Sequence, residues 1–112
     1  MSWPSIKELA AQVNSGKVTA TELVEKALKN IEDTSEYKAI IATTAERAKA
    51  QAAEIDKLVS SGIDAGQLAG VPFIAKDNFL VFGADTTAGS NILKGFDAPY
   101  QATAIEKLEA EG

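Results

Sequence analysis

The sequence has 112 residues, of which 46% are apolar, and a formal net charge of −5. This is the usual size of one compact domain. The chain contains no Cys and no His, which excludes disulfides, zinc–thiolate sites, imidazole bases and cysteine nucleophiles within it. Its carboxylates show no recognisable spacing of metal ligands. We therefore predict no metal or cofactor site in these residues.

The distribution of charge and apolar residues also limits the partners that the chain can have. Lys and Arg are not concentrated in any segment, so no direct nucleic-acid site is predicted. The N-terminus has no basic region followed by an apolar region, as a secretory signal would have. No apolar stretch approaches the roughly 20 residues needed to span a bilayer. We expect a cytoplasmic protein without a membrane partner.

Two amphipathic helices are predicted at the start of the chain. Ser5 and Glu8 have the spacing of a capping box, and so do Thr19 and Glu22. Apolar residues recur at helical spacing behind each box and form one narrow stripe. Both helices are therefore predicted to cover the surface of a larger body.

A strand–helix–strand unit is predicted next. Residues 37–43, which include the apolar run 39–42, and the apolar run 71–75 are short enough for strands. A capping box at residues 43–46 starts the helix between them, which ends near Val59. Such a β-α-β crossover is nearly always right-handed and pairs its strands in parallel. The fold class predicted is α/β.

Segment 70–78, which reads GVPFIAKDN and is called the lysine segment below, carries the main candidate for chemistry. It places Lys76 at the end of a strand predicted to be buried. Desolvation favours a neutral amine, and a neutral lysine can accept and return protons. The alternative is that Lys76 marks the point where the strand reaches water, and the run by itself favours this plainer interpretation.

The last third of the sequence predicts a loop and a closing helix. Residues 83–90 are small, polar and rich in glycine, and their glycine spacing matches neither phosphate-binding fingerprint. The closing helix is predicted to enter at residues 97–99 and to bury Ala104, Ile105 and Leu108. Because a parallel sheet needs several covered strands, we expect residues 1–112 to be the N-terminal part of a single larger domain.

The motifs LAGVP at 68–72, AKDN at 75–78 and TTAGS at 86–90 together resemble the amidase signature family. The resemblance covers essentially the whole chain, and the order of elements is most similar to A subunits of aspartyl/glutamyl-tRNA amidotransferases. It implies a mixed sheet covered by helices and a Ser–cis-Ser–Lys triad in which Lys76 is the catalytic lysine. Asp77 and Asn78 match the positions after that lysine, where an orienting role and a plain turn are equally open.

The residues that would complete this triad are expected outside the chain. Family members carry the nucleophile and the cis-Ser in a Gly/Ser-rich stretch that nothing here matches, so Ser60, Ser61 and Ser90 receive no such role. The chain alone is therefore expected to be inactive. Two departures leave the subfamily open: Gln101 stands where relatives often have an acidic residue, and residues 37–39 replace an Asn-containing turn.

The resemblance implies a glutamine-hydrolysing subunit that supplies ammonia for ATP-dependent amidation of Glu-tRNA(Gln) or Asp-tRNA(Asn). ATP, Mg²⁺ and the charged tRNA would belong to a B subunit, and a small C subunit would join the two. One alternative is a stand-alone amidase of the same family. A second alternative is a non-catalytic module that grips a partner with its two leading helices.

Overall fold

The computed structural model describes residues 3–112, and α-helices provide its regular structure. The helices are α1 (Ile6–Asn14), α2 (Ala20–Asp33), α3 (Ala45–Ser60) and α4 (Thr103–Ala110). Short 3₁₀ turns lie at Ser35–Tyr37 and Asn91–Leu93. The long connection between α3 and α4 holds the lysine segment and the TTAGS motif.

The first two helices begin as predicted. The Ser5 hydroxyl accepts the Glu8 N–H at 3.3 Å, and the Glu8 carboxylate accepts the Ser5 N–H at 2.8 Å. Thr19 and Glu22 exchange the same bonds at 3.1 and 3.0 Å. Both capping boxes are therefore confirmed. α1 ends before Gly16, whose φ of +75° is a left-handed conformation that glycine adopts without strain.

The start of α2 also has a cap supplied from α3. The Asp56 carboxylate accepts the N–H of Ala20 at 2.6 Å and the N–H of Thr21 at 3.1 Å. It accepts the Thr21 hydroxyl as well, at 2.6 Å. These N–H groups have no partner inside the helix, and a negative charge is favourable at this end of the helix dipole. Asp56 thus joins the two helices.

The core lies between α1, α2, α3 and the turn that follows α3. Its buried members are Leu9, Val13, Ala20, Leu23, Val24, Ala52, Ala65 and Ala69. Trp3 packs against this cluster, and the Lys26 ammonium lies 4.3 Å from the centre of its ring. The two leading helices supply most of these buried side chains, and their role as cover for a larger body stays a prediction.

The predicted β-α-β unit is not confirmed. Its helix is present as α3, but residues 37–43 and 71–75 form no strand, and only an isolated antiparallel bridge, Asp85 to Asp97, occurs in residues 3–112. Strands require hydrogen bonds to a neighbouring strand. Pro72 has no N–H to donate, and the N–H groups of residues 73–75 have no backbone acceptor in the described part of the chain.

Two predicted helix starts differ from the structure. Thr44 precedes α3, but its side chain makes no capping bond. α4 begins at Thr103 rather than at residues 97–99. The backbone before it is engaged elsewhere, because Asp97 pairs with Asp85 and the Ala102 N–H donates to the Leu80 carbonyl at 2.9 Å. Of the three predicted inner residues of α4, only Ile105 is buried.

A polar network fastens α4 to α3. Arg47 donates two hydrogen bonds to the Glu109 carboxylate, at 2.7 and 3.0 Å. The buried amide of Gln101 donates to Glu109 at 2.9 Å and accepts the Phe82 N–H at 3.2 Å. Gln101 needs both its donor and its acceptor here. An acidic side chain would instead set a second negative charge beside Glu109.

Candidate functional site

Lys76 begins a tight turn on the surface of the described chain. The Phe79 N–H donates to the Lys76 carbonyl at 3.0 Å. The lysine side chain is exposed and forms no ion pair with residues 3–112. Phe73 and Ile74, which precede it, are 49% and 75% exposed. The buried strand predicted ahead of Lys76 is therefore absent, and the catalytic role of Lys76 stays a prediction.

Asp77 connects the lysine segment to residues 86–90, called the TTAGS loop below. Its carboxylate accepts the Thr87 N–H at 3.2 Å, the Thr87 hydroxyl, and the Gly89 N–H at 3.4 Å. Its backbone carbonyl accepts the Ala88 N–H at 2.9 Å. The two motifs on which the family resemblance depends are thus in direct contact, through one residue.

The TTAGS loop contains a tight turn in an unusual backbone conformation. The Ser90 N–H donates to the Thr87 carbonyl at 2.8 Å, and the residues between them, Ala88 and Gly89, have φ values of +49° and +73°. Positive φ at both central positions is typical of a type I′ turn. For Ala88 this conformation costs about 1–2 kcal/mol. The hydrogen bonds that the loop donates to Asp77 hold the turn in this form.

The electrostatics of Asp77 follow from these contacts. The hydrogen bonds donated by the Thr87 hydroxyl and N–H, with a smaller contribution from the Gly89 N–H, hold the pKa of the Asp77 carboxyl below its ordinary value. Burial opposes them only in part. Asp77 is therefore an anion whose charge is directed at the loop.

The other candidate residues have plainer surroundings. Asn78 is exposed, and its side chain makes no hydrogen bond within residues 3–112. It lies in the turn that begins at Lys76, so the turn interpretation applies to it. The Ser90 hydroxyl accepts the Ile92 N–H at 3.3 Å and so caps the following 3₁₀ turn.

The segment beyond the TTAGS loop returns to its own start. The Thr86 N–H donates to the Phe96 carbonyl at 3.1 Å, and the Gly95 N–H donates to the Asp85 carboxylate at 2.9 Å. Residues 85–97 therefore form a closed loop of the Ω type. Ile92, near its tip, is 93% exposed.

Within residues 3–112, no three acidic side chains come together as metal ligands would. None of the helices described here has the length and apolar character required to cross a membrane.

The chain belongs to the amidase family, because the model of that family matches residues 22–112. The matched part includes Lys76, Asp77 and the whole TTAGS loop. The two contacting motifs described above are therefore features of an amidase sequence.

Within the family, the chain is similar to mitochondrial glutamyl-tRNA(Gln) amidotransferase A subunits. It is 42% identical to the protein of Ornithorhynchus anatinus over 108 residues, which is 96% of this chain and 21% of that protein. The corresponding protein of Xenopus laevis is 44% identical over 96% of this chain and 21% of its own length. That of Homo sapiens is 41% identical over 96% of this chain and 20% of its own length. The chain thus spans about a fifth of the length of these relatives.

Proposed function

We propose that the protein carrying these residues is a glutamine-hydrolysing amidotransferase subunit in which Lys76 is the proton-relaying base. The observation that supports this most is the similarity to A subunits over 96% of the chain. That similarity includes the lysine segment and the TTAGS loop, which Asp77 joins.

In the proposed reaction, the neutral Lys76 amine accepts a proton from the cis-serine, which in turn takes the proton of the nucleophilic serine. Both serines lie outside this chain. The nucleophile attacks the carbonyl carbon of the glutamine side-chain amide and forms a glutamyl ester. The amide nitrogen leaves as ammonia after it is protonated. Water then hydrolyses the ester and restores the serine. Residues 1–112 alone are expected to be inactive, as the N-terminal part of one amidase domain.

The ammonia is proposed to serve a tRNA-dependent amidation on a partner subunit. The relatives are named for glutamyl-tRNA(Gln), which favours Glu-tRNA(Gln) over Asp-tRNA(Asn) as the acceptor. A B subunit would hold the tRNA, ATP and Mg²⁺, and a C subunit would join the two. We assign none of these groups to residues of this chain. The relatives' names also say that they are mitochondrial, so the cytoplasmic location stays a prediction that cell fractionation tests.

Replacement of the lysine in the full-length protein tests the proposed function. We expect Lys76→Ala to lower ammonia release from glutamine by about 10²–10⁴-fold, the usual contribution of a general base. Because Lys76 is exposed and unpaired in the described residues, the far-ultraviolet circular dichroism should not change. Lys94→Ala, at an exposed lysine in the neighbouring loop, is the matched control and should stay active. Ammonia release retained by Lys76→Ala contradicts the proposal.

A stand-alone amidase is the second candidate, because membership of the amidase family supports amide hydrolysis and does not by itself require a partner. Co-purification with B and C subunits separates the two candidates, as does the use of glutamine against other amides. The interaction-module alternative is less well supported, because Leu9, Val13, Leu23 and Val24 of α1 and α2 are buried in the core.

A further inference from the structure

Asp77 follows Lys76 directly in the chain, so the candidate base has a carboxylate-bearing residue as its sequence neighbour. An available carboxylate within a few Å of an ammonium favours its charged form and so opposes its use as a base. The two side chains nevertheless form no ion pair. The ion pairs in residues 3–112 are Lys29 with Asp33 and Arg47 with Glu109.

The Asp77 carboxylate instead accepts hydrogen bonds from the TTAGS loop. Oδ1 accepts the Thr87 N–H, while Oδ2 accepts the Thr87 hydroxyl and the Gly89 N–H. The loop itself has no titratable side chain. The nearest acidic residue before it, Asp85, is engaged by the Gly95 N–H at 2.9 Å. Neutral donors alone therefore hold the Asp77 charge in this part of the structure.

We propose that the TTAGS loop keeps Asp77 from acting as the counter-ion of Lys76, and that Thr87 is the positioning residue responsible. This inference depends on the proposed role of Lys76 as the base. Thr87 acts only through Asp77. When its hydroxyl is removed, Oδ2 loses a donor and the carboxylate can turn towards the neighbouring ammonium. The lysine then stays protonated, and inactive as a base, to higher pH.

The pH dependence of glutamine hydrolysis by full-length variants tests this role. In Thr87→Val we expect the acid limb of the kcat/KM profile to move to higher pH by about one unit, the lower end of the effect of a nearby opposite charge. Thr87→Ser keeps the hydroxyl and should restore the wild-type limb. Thr86→Val is the matched control, because the Thr86 hydroxyl lies 3.4 Å from the Phe79 carbonyl and does not contact Asp77. A rate lowered equally at every pH in Thr87→Val would show a merely structural role and overturn the proposal.

Asp77→Asn provides a test that does not depend on the folding of Thr87→Val. The amide oxygen of asparagine can still accept the Thr87 N–H, whereas the negative charge is gone. If the loop already withholds that charge from Lys76, the acid limb should keep its wild-type position. A limb that moves to lower pH in Asp77→Asn would mean that Asp77 is the counter-ion, and this overturns the proposal.

Failure of the proposed function is distinguishable from failure of this inference. If the wild-type full-length protein releases no ammonia from glutamine, the glutaminase proposal fails. The Lys76 side chain can then be titrated directly by ¹⁵N NMR, with Lys76→Arg to assign its signal. A titration displaced to higher pH in Thr87→Val, but not in Thr87→Ser, supports the role of the loop. Coincident titrations overturn it.

Discussion

The hydrogen bonds around Glu109 determine the pKa of its carboxyl and so its contribution to stability. Burial alone would raise the pKa of its carboxyl, but hydrogen bonds from Arg47, Gln101 and Gln51, together with the Arg47 charge, hold the pKa below its ordinary value of 4.5. Because the pKa is lower in the folded state than in the unfolded state, the ionised carboxyl stabilises the fold at pH values above 4.5. The contribution is lost as the pH falls through the lowered value.

Glu109→Gln should therefore destabilise the chain in a pH-dependent way. We expect a loss of about 1–2 kcal/mol in the free energy of unfolding at neutral pH, because charge-assisted hydrogen bonds are weakened and the site is partly open to solvent. The difference from wild type should shrink as the pH falls below about 4.5. Urea unfolding at a series of pH values measures this. Glu54→Gln, at an exposed position on α3, should show little difference, and a Glu109→Gln difference independent of pH would contradict the argument.

The candidate site illustrates what the sequence could predict at the level of single residues. Lys76, Asp77 and the TTAGS loop were recognised as motifs because each is a short run of characteristic residues. The contact between Asp77 and Thr87 was not predicted, since a hydrogen bond across ten residues leaves no local pattern. The only available signal was a carboxylate followed by a loop rich in small donors. That signal is common in turns that have no function.

At the level of helices, caps formed by neighbouring residues were predictable from the sequence, whereas a cap from a distant residue was not. The boxes at Ser5 and Thr19 were predictable because each is complete within four consecutive residues. The cap that Asp56 provides to α2 was not predictable, because its partners lie 35 and 36 residues earlier in the chain. Asp56 nevertheless links α3 to the start of α2 through three hydrogen bonds.

Asp56→Ala should loosen this junction. The substitution leaves the Ala20 and Thr21 N–H groups without partners, and we expect a loss of about 2 kcal/mol in the free energy of unfolding, the upper range for a helix cap. Asp56→Asn retains an acceptor and should lose about half as much. Urea unfolding followed by circular dichroism measures both, with Glu54→Ala as the exposed control on the same helix. A loss in Asp56→Ala no larger than in Glu54→Ala would contradict the cap.

The predicted strands are not confirmed in residues 3–112, and the reason is physical. An apolar run such as residues 71–75 indicates that a segment avoids water, but it does not say whether a neighbouring strand is available. Helical periodicity, in contrast, is a property of the segment alone, and α3 is formed as predicted with Ala52 buried. The sequence therefore predicted the helices well. The sheet, which depends on pairing between distant segments, is not formed in residues 3–112.

At the scale of the whole molecule, the apolar residues divide unequally between two regions. The described residues extend over 46 × 31 × 21 Å. The region of α1, α2 and α3 contains most of the buried side chains. The connection between α3 and α4 instead exposes large apolar groups, which include Phe73, Ile74, Phe79, Phe82, Ile92, Phe96 and Tyr100. Isolated exposed apolar residues are ordinary, but this number in one connection is not.

This division predicts opposite responses to substitution in the two regions. Val13 is 1% exposed. Its replacement by alanine should lower the free energy of unfolding by about 2 kcal/mol, because buried carbons are removed and a cavity remains. Ile74, at 75% exposure, should tolerate replacement by glutamate within about 0.5 kcal/mol. Urea unfolding of residues 1–112 measures both. A large loss in Ile74→Glu would show that the connection is packed more tightly than described.

The placement of Trp3 gives this molecule a built-in optical label. It is the one tryptophan in the sequence, and it lies against the helical core with the Lys26 ammonium over its ring. Its emission therefore reports the melting of the helices without any added dye. Rearrangements confined to the long connection before α4 should leave the tryptophan emission unchanged. Fluorescence can therefore distinguish such a rearrangement from melting of the helices.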